Sequence, residues 1–472
     1  MAFSSLLHGY VVFLVFLAAN GVFCVDYGGG DMEEDELFGL FEVMGSLLDD
    51  PNWAQTHPLP CTETPWPGVE CELLEETSIF HVTKIHIGED ILTPPCKKSA
   101  KISQSLLKLP YLRTLSLISC FTESQVVLTK QLLGSLSFLE HLALESNPTL
   151  SGEIPSSISN LAYLNTLCLS QNNLSGEIPK EIGGLVNLKQ LDLSHNSLSG
   201  LIPEEIGSLE KLEILDLSWN LLQEMVPSSI SRLQLIEKID LSSNKLQGKL
   251  PPELGKLKTL VLLDLSHNFL SGPIPENLSN LQKLEYLIME DNPLNARIPS
   301  FLGSLTQLTV LSFSGCGLIG SIPTTFSSLT NLTALSLDNN SLNGTVPPEL
   351  GTLPRLDTLN LSRNQLIGEL TFPQAFMNRL GQRLDIRENN GLCANQEEHV
   401  RNTSSKFSQN PTCSSALFPS ARNKTLAGPS PDPAQNMKPK LYNGSISSKG
   451  YDLGREFVLI LGLMFLFLLF VS

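Results

Sequence analysis

The stretch LDLSHNSLSGLIP, residues Leu191–Pro203, belongs to a series. The same frame reads LCLSQNNLSGEIP from Leu167, LDLSWNLLQEMVP from Leu215, IDLSSNKLQGKLP from Ile239 and LDLSHNFLSGPIP from Leu263. Its asparagine column runs through Asn172, Asn196, Asn220, Asn244, Asn268, Asn292, Cys316, Asn340 and Asn364, always 24 residues apart. A looser copy with one extra residue precedes it at Asn147, and degenerate copies sit at Cys120 and Asn389. Self-similarity at such a period marks a stack of small units, since one unit cannot bury its own apolar face.

The frame, LxxLxLxxNxLxGxIPxxLGxLxx, is that of a leucine-rich repeat. Within LxxLxLxx the chain is extended, so Leu191 and Leu193 point inward and the residues between them outward. Successive strands pair in parallel at about 4.8 Å. The asparagine turns the chain out of the strand, and its amide can bond backbone of adjacent coils. The glycine permits a close turn, and Ile-Pro suits an extended connection on the convex side. The expected fold is α/β: a right-handed, curved solenoid with a parallel β-sheet on its concave face and disulfide caps at both ends. Gly315, Gly317 and Gly320 spell G-x-G-x-x-G, a dinucleotide-binding signature, inside one coil. They run into Ile322-Pro323 with no helix-length pattern behind them, so the spelling is an accident of the repeat and Cys316 reads as a buried thiol in the asparagine column.

The chain has 472 residues and a net charge of −17. That is a poor match for nucleic acid. It argues mildly against an acidic polysaccharide too, although local patches can oppose net charge. Residues 1–24 read as a signal peptide, cleaved after Gly21 or Cys24. Residues 25–108 read as an N-terminal cap, 109–390 as the solenoid, 391–413 as a C-terminal cap and 414–443 as a flexible stalk rich in Ser, Pro, Asn and Lys. Over 444–472 a polar spacer precedes the apolar run Phe457–Val471. This fits a glycolipid-anchor signal attached at Asn443, Gly444 or Ser445, or else a short transmembrane end. Both ends place the mature chain outside the cell, in agreement with sequons at Asn173, Asn277, Asn331, Asn339, Asn343, Asn360, Asn402, Asn423 and Asn443.

In the N-terminal cap, Leu37, Leu40, Phe41, Met44, Leu47 and Leu48 recur at helical spacing behind an acidic first turn, as expected of a helix lying on the open end of the core. Cys61 and Cys71 flank Trp66 and read as a disulfide in an oxidising compartment. Cys96 with Cys120, and Cys393 with Cys413, are the further expected pairs. Cys168 stands at an outward strand position without an evident partner. No CxxC or Cys/His spacing suggests zinc.

No hydrolase, metalloprotease, kinase or nucleotide motif occurs, so neither catalysis nor a cofactor is expected. Asp192, Asp216, Asp240 and Asp264 share one outward column. Such a ladder could do acid–base work or hold calcium, but hydrogen bonds to neighbouring serines are the simpler reading. The other outward positions vary from coil to coil. Ile214, Trp219, Lys238, Leu262, His267, Tyr286, Ile288, Glu290, Asp291 and Val310 gather apolar and aromatic groups in adjacent coils, the composition of an interface. Glycans on Asn339 and Asn360 would cover the last coils, which leaves the middle ones to a partner.

The segments LFGLFEVMGSLLDDPNW, PCTETPWPGVEC, HVTKIHIG, TPPC and LSLISCF, followed by the GxIP repeats, resemble a small receptor-like group of plant extracellular leucine-rich repeat proteins. That resemblance implies a plasma-membrane protein in plant signalling, with a role in the response to a root endophyte or other microbe. It also implies a protein or peptide ligand and, since no kinase follows the repeats, a transmembrane receptor kinase as signalling partner. The alternative is a secreted inhibitor of a cell-wall-degrading enzyme built on the same repeat.

Overall fold

The computed structural model describes residues 32–88 and 95–393. Each coil begins with a three-residue strand such as Gln190–Asp192, which pairs in parallel with Thr166–Cys168 on one side and Ile214–Asp216 on the other. The register advances by one repeat each time, so Leu191, Leu215, Ile239 and Leu263 stand side by side. Among the described residues this produces a 14-stranded sheet. It opens with an antiparallel pair, Val69–Leu74 and Ile79–Ile87, and turns parallel at Thr114–Ile118. The inward leucines have no solvent exposure. Full burial of each contributes about 1.5–3 kcal/mol, nearly all of it against neighbouring coils.

At the end of each strand the residue before the asparagine takes a left-handed conformation, as at His195, Trp219, Ser243 and His267. The chain then turns out of the sheet, and the asparagine amide satisfies the backbone groups that this turn strands. Asn220 Nδ2 donates to the carbonyls of Leu193, Leu217 and Ser218 at 2.9, 3.2 and 3.1 Å. Its Oδ1 accepts from the Leu198 N–H at 3.0 Å. Asn244, Asn268, Asn292 and Asn364 repeat the set, and Asn389 closes it at the last coil.

Two features were not expected from the sequence. Short strands such as Ser197–Gly200 follow the asparagine and form further parallel sheets of seven and four strands. The Ile-Pro segment is not a plain extended connection either. The proline is extended, but it caps a five-residue 3-10 helix in coil after coil, as in Glu204–Ser208 and Pro252–Lys256. These helices stack closely: a Cβ on Gly255 would stand 2.1 Å from the Asn277 carbonyl oxygen, so this column needs glycine where the next backbone approaches.

The secondary sheet breaks between Phe269–Leu270 and Ile319–Gly320. Pro293 removes a ladder N–H there. In the next coil Cys316 replaces asparagine. Its thiol donates to the Met289 carbonyl at 3.0 Å, as the amide would, but it offers no oxygen to the Leu294 N–H. That N–H turns instead to the Asn292 carbonyl at 2.8 Å. The missing acceptor thus coincides with a lost strand.

The N-terminal helix spans Glu34–Leu47 and buries Leu40, Val43, Met44 and Leu47 over the end of the core. It also buries Glu36, whose carboxylate accepts from the Val82 N–H at 2.8 Å and meets His81 Nδ1 at 2.7 Å. Disulfides join Cys61 to Cys71 and Cys96 to Cys120. Cys393 is disulfide-bonded as well, while its expected partner Cys413 lies outside the described residues, as does Cys24.

Asn220→Ala should lower the urea midpoint by the equivalent of about 1–3 kcal/mol, since four backbone groups lose a buried partner. Glu224 stands in the glycine column at φ 67°. Glu224→Gly should raise the midpoint by about 0.5–1 kcal/mol, the left-handed penalty less the added chain entropy. No change in either variant would count against the coil geometry described here.

Candidate functional site

The outward side chains of the principal sheet fall into columns fixed by the register. One column runs Gln190, Ile214, Lys238, Leu262, Tyr286, Val310, Ala334, with each residue directly opposite the next. The next runs Cys168, Asp192, Asp216, Asp240, Asp264, Ile288, Ser312. Ile214, Leu262, Tyr286 and Val310 are half-buried and line an apolar strip interrupted by Lys238. Ile288 corrects the sequence reading: at 9% exposure it offers little surface. It stands between Asp264 and Ser312 in the register, with Tyr286 and Glu290 beside it on its own chain.

The aspartate column is tied down locally. Asp216, Asp240 and Asp264 each accept from the serine hydroxyl two residues on, at 2.6, 2.7 and 2.7 Å. Lys238 reaches Asp216 at 2.7 Å and Asp240 at 3.7 Å. Burial pushes the carboxyls of Asp192, Asp240 and Asp264 above the usual range. For Asp240, burial and the flanking Asp216 and Asp264 carboxylates raise it to about 7 despite Lys238. Burial would lower Lys238, but the carboxylates of Asp216 and Asp240 outweigh it and leave the ammonium stabilised. Cys168, expected to face outward, is buried and free. Its thiol donates to Asp192 Oδ2 at 3.5 Å, and burial holds it protonated. Cys316 is likewise buried, its thiol pushed up to about 12. Among the described residues no three His, Cys, Asp or Glu side chains converge as around a metal ion.

Trp219 is the most prominent group. It is 57% exposed, adopts φ 53° and stacks on His195 with centroids 5.3 Å apart and planes 9° from parallel. His267, two coils further, meets Asp291 at 3.2 Å, and that hydrogen bond raises its pKa. The stacking of His195 on Trp219 went unread in the sequence, although both occupy the position before the column asparagine. A separate run of exposed rings, Tyr111, Phe138 and Tyr163, was also missed. Phe138 and Tyr163 stack at 6.0 Å.

Of the sequon asparagines, Asn173, Asn277, Asn339 and Asn343 are exposed. Asn331 and Asn360 are half-buried: Asn331 Nδ2 donates to the Thr306 carbonyl at 3.0 Å, and Asn360 Oδ1 accepts from the Ser362 hydroxyl at 2.8 Å. Asn402, Asn423 and the expected anchor residues Asn443, Gly444 and Ser445 lie outside the described residues.

Known leucine-rich repeat families match much of this chain. "Leucine-rich repeat region" covers residues 94–220, and other leucine-rich repeat families cover 211–233, 235–257, 259–281 and 306–366. The chain is a leucine-rich repeat protein. Receptor like protein 29 of Arabidopsis thaliana is 43% identical over 144 residues, 30% of each chain. Piriformospora indica-insensitive protein 2 of the same plant is 38% identical over 146 residues, 30% of this chain and 34% of the relative. The matches thus span about a third of those relatives' length. Among solved structures, that of PEPR1-AtPEP1 is 28% identical with a TM-score of 0.62 over 77% of this chain and 52% of the other. The ectodomain of the Arabidopsis thaliana receptor kinase GASSHO1/SCHENGEN3, in complex with CASPARIAN STRIP INTEGRITY FACTOR 2, is 28% identical with a TM-score of 0.58 over 76% and 47%. Over the matched stretches, the chain is similar to plant leucine-rich repeat receptor-like proteins.

The carboxyl ladder makes stability depend on pH. A carboxyl whose pKa is higher folded than unfolded binds its proton more readily in the folded state. Its contribution is therefore complete below the unfolded value near 3.8 and fades as pH rises toward the folded value, about 7 for Asp240. His267, also raised, contributes below its ordinary value of 6.5 and loses that contribution as pH climbs past it. Asp240→Asn should flatten the urea midpoint between pH 4 and 7 relative to the parent chain. An unchanged slope would reject the ladder's role.

Proposed function

We propose that this chain is a non-catalytic receptor-like protein held at the outer face of the plant cell membrane. It recognises a protein or peptide through the principal sheet between Ile214 and Val310. The observation that carries this reading is Trp219, a large ring kept more than half exposed on a left-handed residue, beside the apolar column of Ile214, Leu262, Tyr286 and Val310. Lys238, His267 and Asp291 supply polar contacts around it, and Ile288 occupies the neighbouring column between Asp264 and Ser312. Rigid aromatic groups surrounded by polar ones are the usual anchors of an interface. Glycans on Asn339 and Asn360 would shield the later coils and leave this stretch open.

A peptide ligand is supported by a further solved relative, the plant peptide hormone receptor RGFR1 in complex with RGF2, which is 31% identical with a TM-score of 0.58. A transmembrane receptor kinase is the proposed signalling partner. Piriformospora indica-insensitive protein 2 supports a role in the response to a root endophyte or microbe. Attachment rests on the apolar run Phe457–Val471, through a glycolipid at Asn443, Gly444 or Ser445 or through a short span. Among the described residues, no helix is long and apolar enough to cross a membrane.

Partners cross-linked to the tagged full chain on plant membranes should be recovered at least about tenfold less with Trp219→Ala or Tyr286→Ala. Undiminished recovery with both variants would reject the sheet face as the binding surface. A phosphatidylinositol-specific phospholipase should release the chain from membranes, and retention after treatment would favour the short span.

A further inference from the structure

Across the core from the principal sheet, one patch on the 3-10 helix side carries a charge opposite to that of the whole molecule. A depression of about 610 Å³ opens over three consecutive coils. Arg232 and Lys256 occupy equivalent positions in their coils, and Lys258 stands two residues further on. All three side chains are exposed, and among the described residues none forms an ion pair. Gln234 and Asn280 add amides to the lining. Gly255 forms part of the wall, where the close approach of Asn277 excludes any side chain and keeps the depression open. Glu210, one coil earlier in the column of Gln234 and Lys258, marks its acidic edge.

In a chain of net charge −17, three unpaired cations around one hollow hold an anion against the protein's own long-range field. They must therefore meet its charges at short range. No aromatic side chain lines the depression, so nothing there would stack a nucleobase. Three cations are also few for a phosphate backbone. Amides beside ammonium and guanidinium groups suit a ligand that offers hydroxyls and carboxylates together. The coils repeat at about 4.8 Å, comparable with the length of one sugar ring, so cations in successive coils can meet charges on successive units of an extended polymer. We infer that this depression is a binding site for an acidic polysaccharide, a polyuronate whose carboxylates pair with Arg232, Lys256 and Lys258. The site shares no residue with the sheet face proposed above and stands or falls separately from it.

The test uses the full chain, solubilised from membranes, after enzymatic removal of N-glycans, because Asn277 is a sequon in the helix that bears Asn280. Immobilised polygalacturonate should retain the protein, with affinity falling as salt rises. Fully methyl-esterified polymer should not retain it. The triple variant Arg232→Gln/Lys256→Gln/Lys258→Gln should bind at least tenfold more weakly. A control with the same charge change elsewhere, Lys180→Gln/Lys245→Gln/Lys249→Gln, should bind within about twofold of the parent. Trp219→Ala should leave retention unchanged, and matching circular dichroism melts establish that each variant is folded. The proposal is overturned by absence of retention, by equal retention of the methyl ester, by equal losses in the two triple variants, or by single-stranded DNA binding as tightly as polygalacturonate.

Discussion

The structure depends on one recurrent hydrogen-bonding problem and its solution. When the chain leaves a strand of the principal sheet it strands several backbone groups inside the molecule, where an unmet donor or acceptor is costly. The column asparagine meets them with one side chain. Asn220 joins carbonyls of its own coil and the preceding one, while its oxygen takes an N–H from that preceding coil. The bonds lock neighbouring coils at a fixed offset. That offset puts every outward residue directly beside its counterpart in the next coil. Register, core packing and surface columns are therefore one constraint seen from different sides. Cys316 shows its limits: a thiol keeps the donor role toward Met289 but lacks the acceptor, and the secondary sheet breaks at that point.

The alignment also determines what the sheet face can be. Identical residues repeated in one outward column become a ladder, and a ladder of carboxylates repels itself. The chain relieves this in three ways. Serines two residues on donate to the carboxylates, Lys238 sits between two of them, and burial favours their neutral forms. Further along, the column turns to Ile288 and Ser312, where the charge moves two and three residues on, to Glu290 and Asp291. An aromatic residue at the column before the asparagine has no such ladder to satisfy. It is free to project, as Trp219 does.

How much could be read from sequence follows from which interactions have a period. Strands, inward leucines and the asparagine ladder were legible because each ties residue type to a repeated position, and the disulfides Cys61–Cys71 and Cys96–Cys120 because cysteines are few and the compartment is oxidising. The 3-10 helices were not. Each spans only five residues, and a single turn leaves no helical period to read. Burial of Ile288 and Cys168 was also hidden. Strand alternation gives direction but not the size of the neighbours that close over a side chain. For the same reason the stacking of His195 on Trp219 emerges only when the left-handed turn brings two rings face to face.

Net charge also describes no single face of the molecule. A total of −17 sums over faces that never meet, and the repeat is what separates them. Positions on the strand always reach the sheet face, whereas positions on the 3-10 helix always reach the opposite one. Substitution can therefore enrich one face in carboxylates and the other in cations without either disturbing the core. In a globular domain such a change would alter contacts shared by both surfaces. Here the leucines and asparagines between them are fully committed to coil-on-coil bonding, so the two surfaces are chemically independent. Arg232, Lys256 and Lys258 can thus serve a polyanion while the Trp219–Tyr286 region serves another partner, because no side chain has to answer to both.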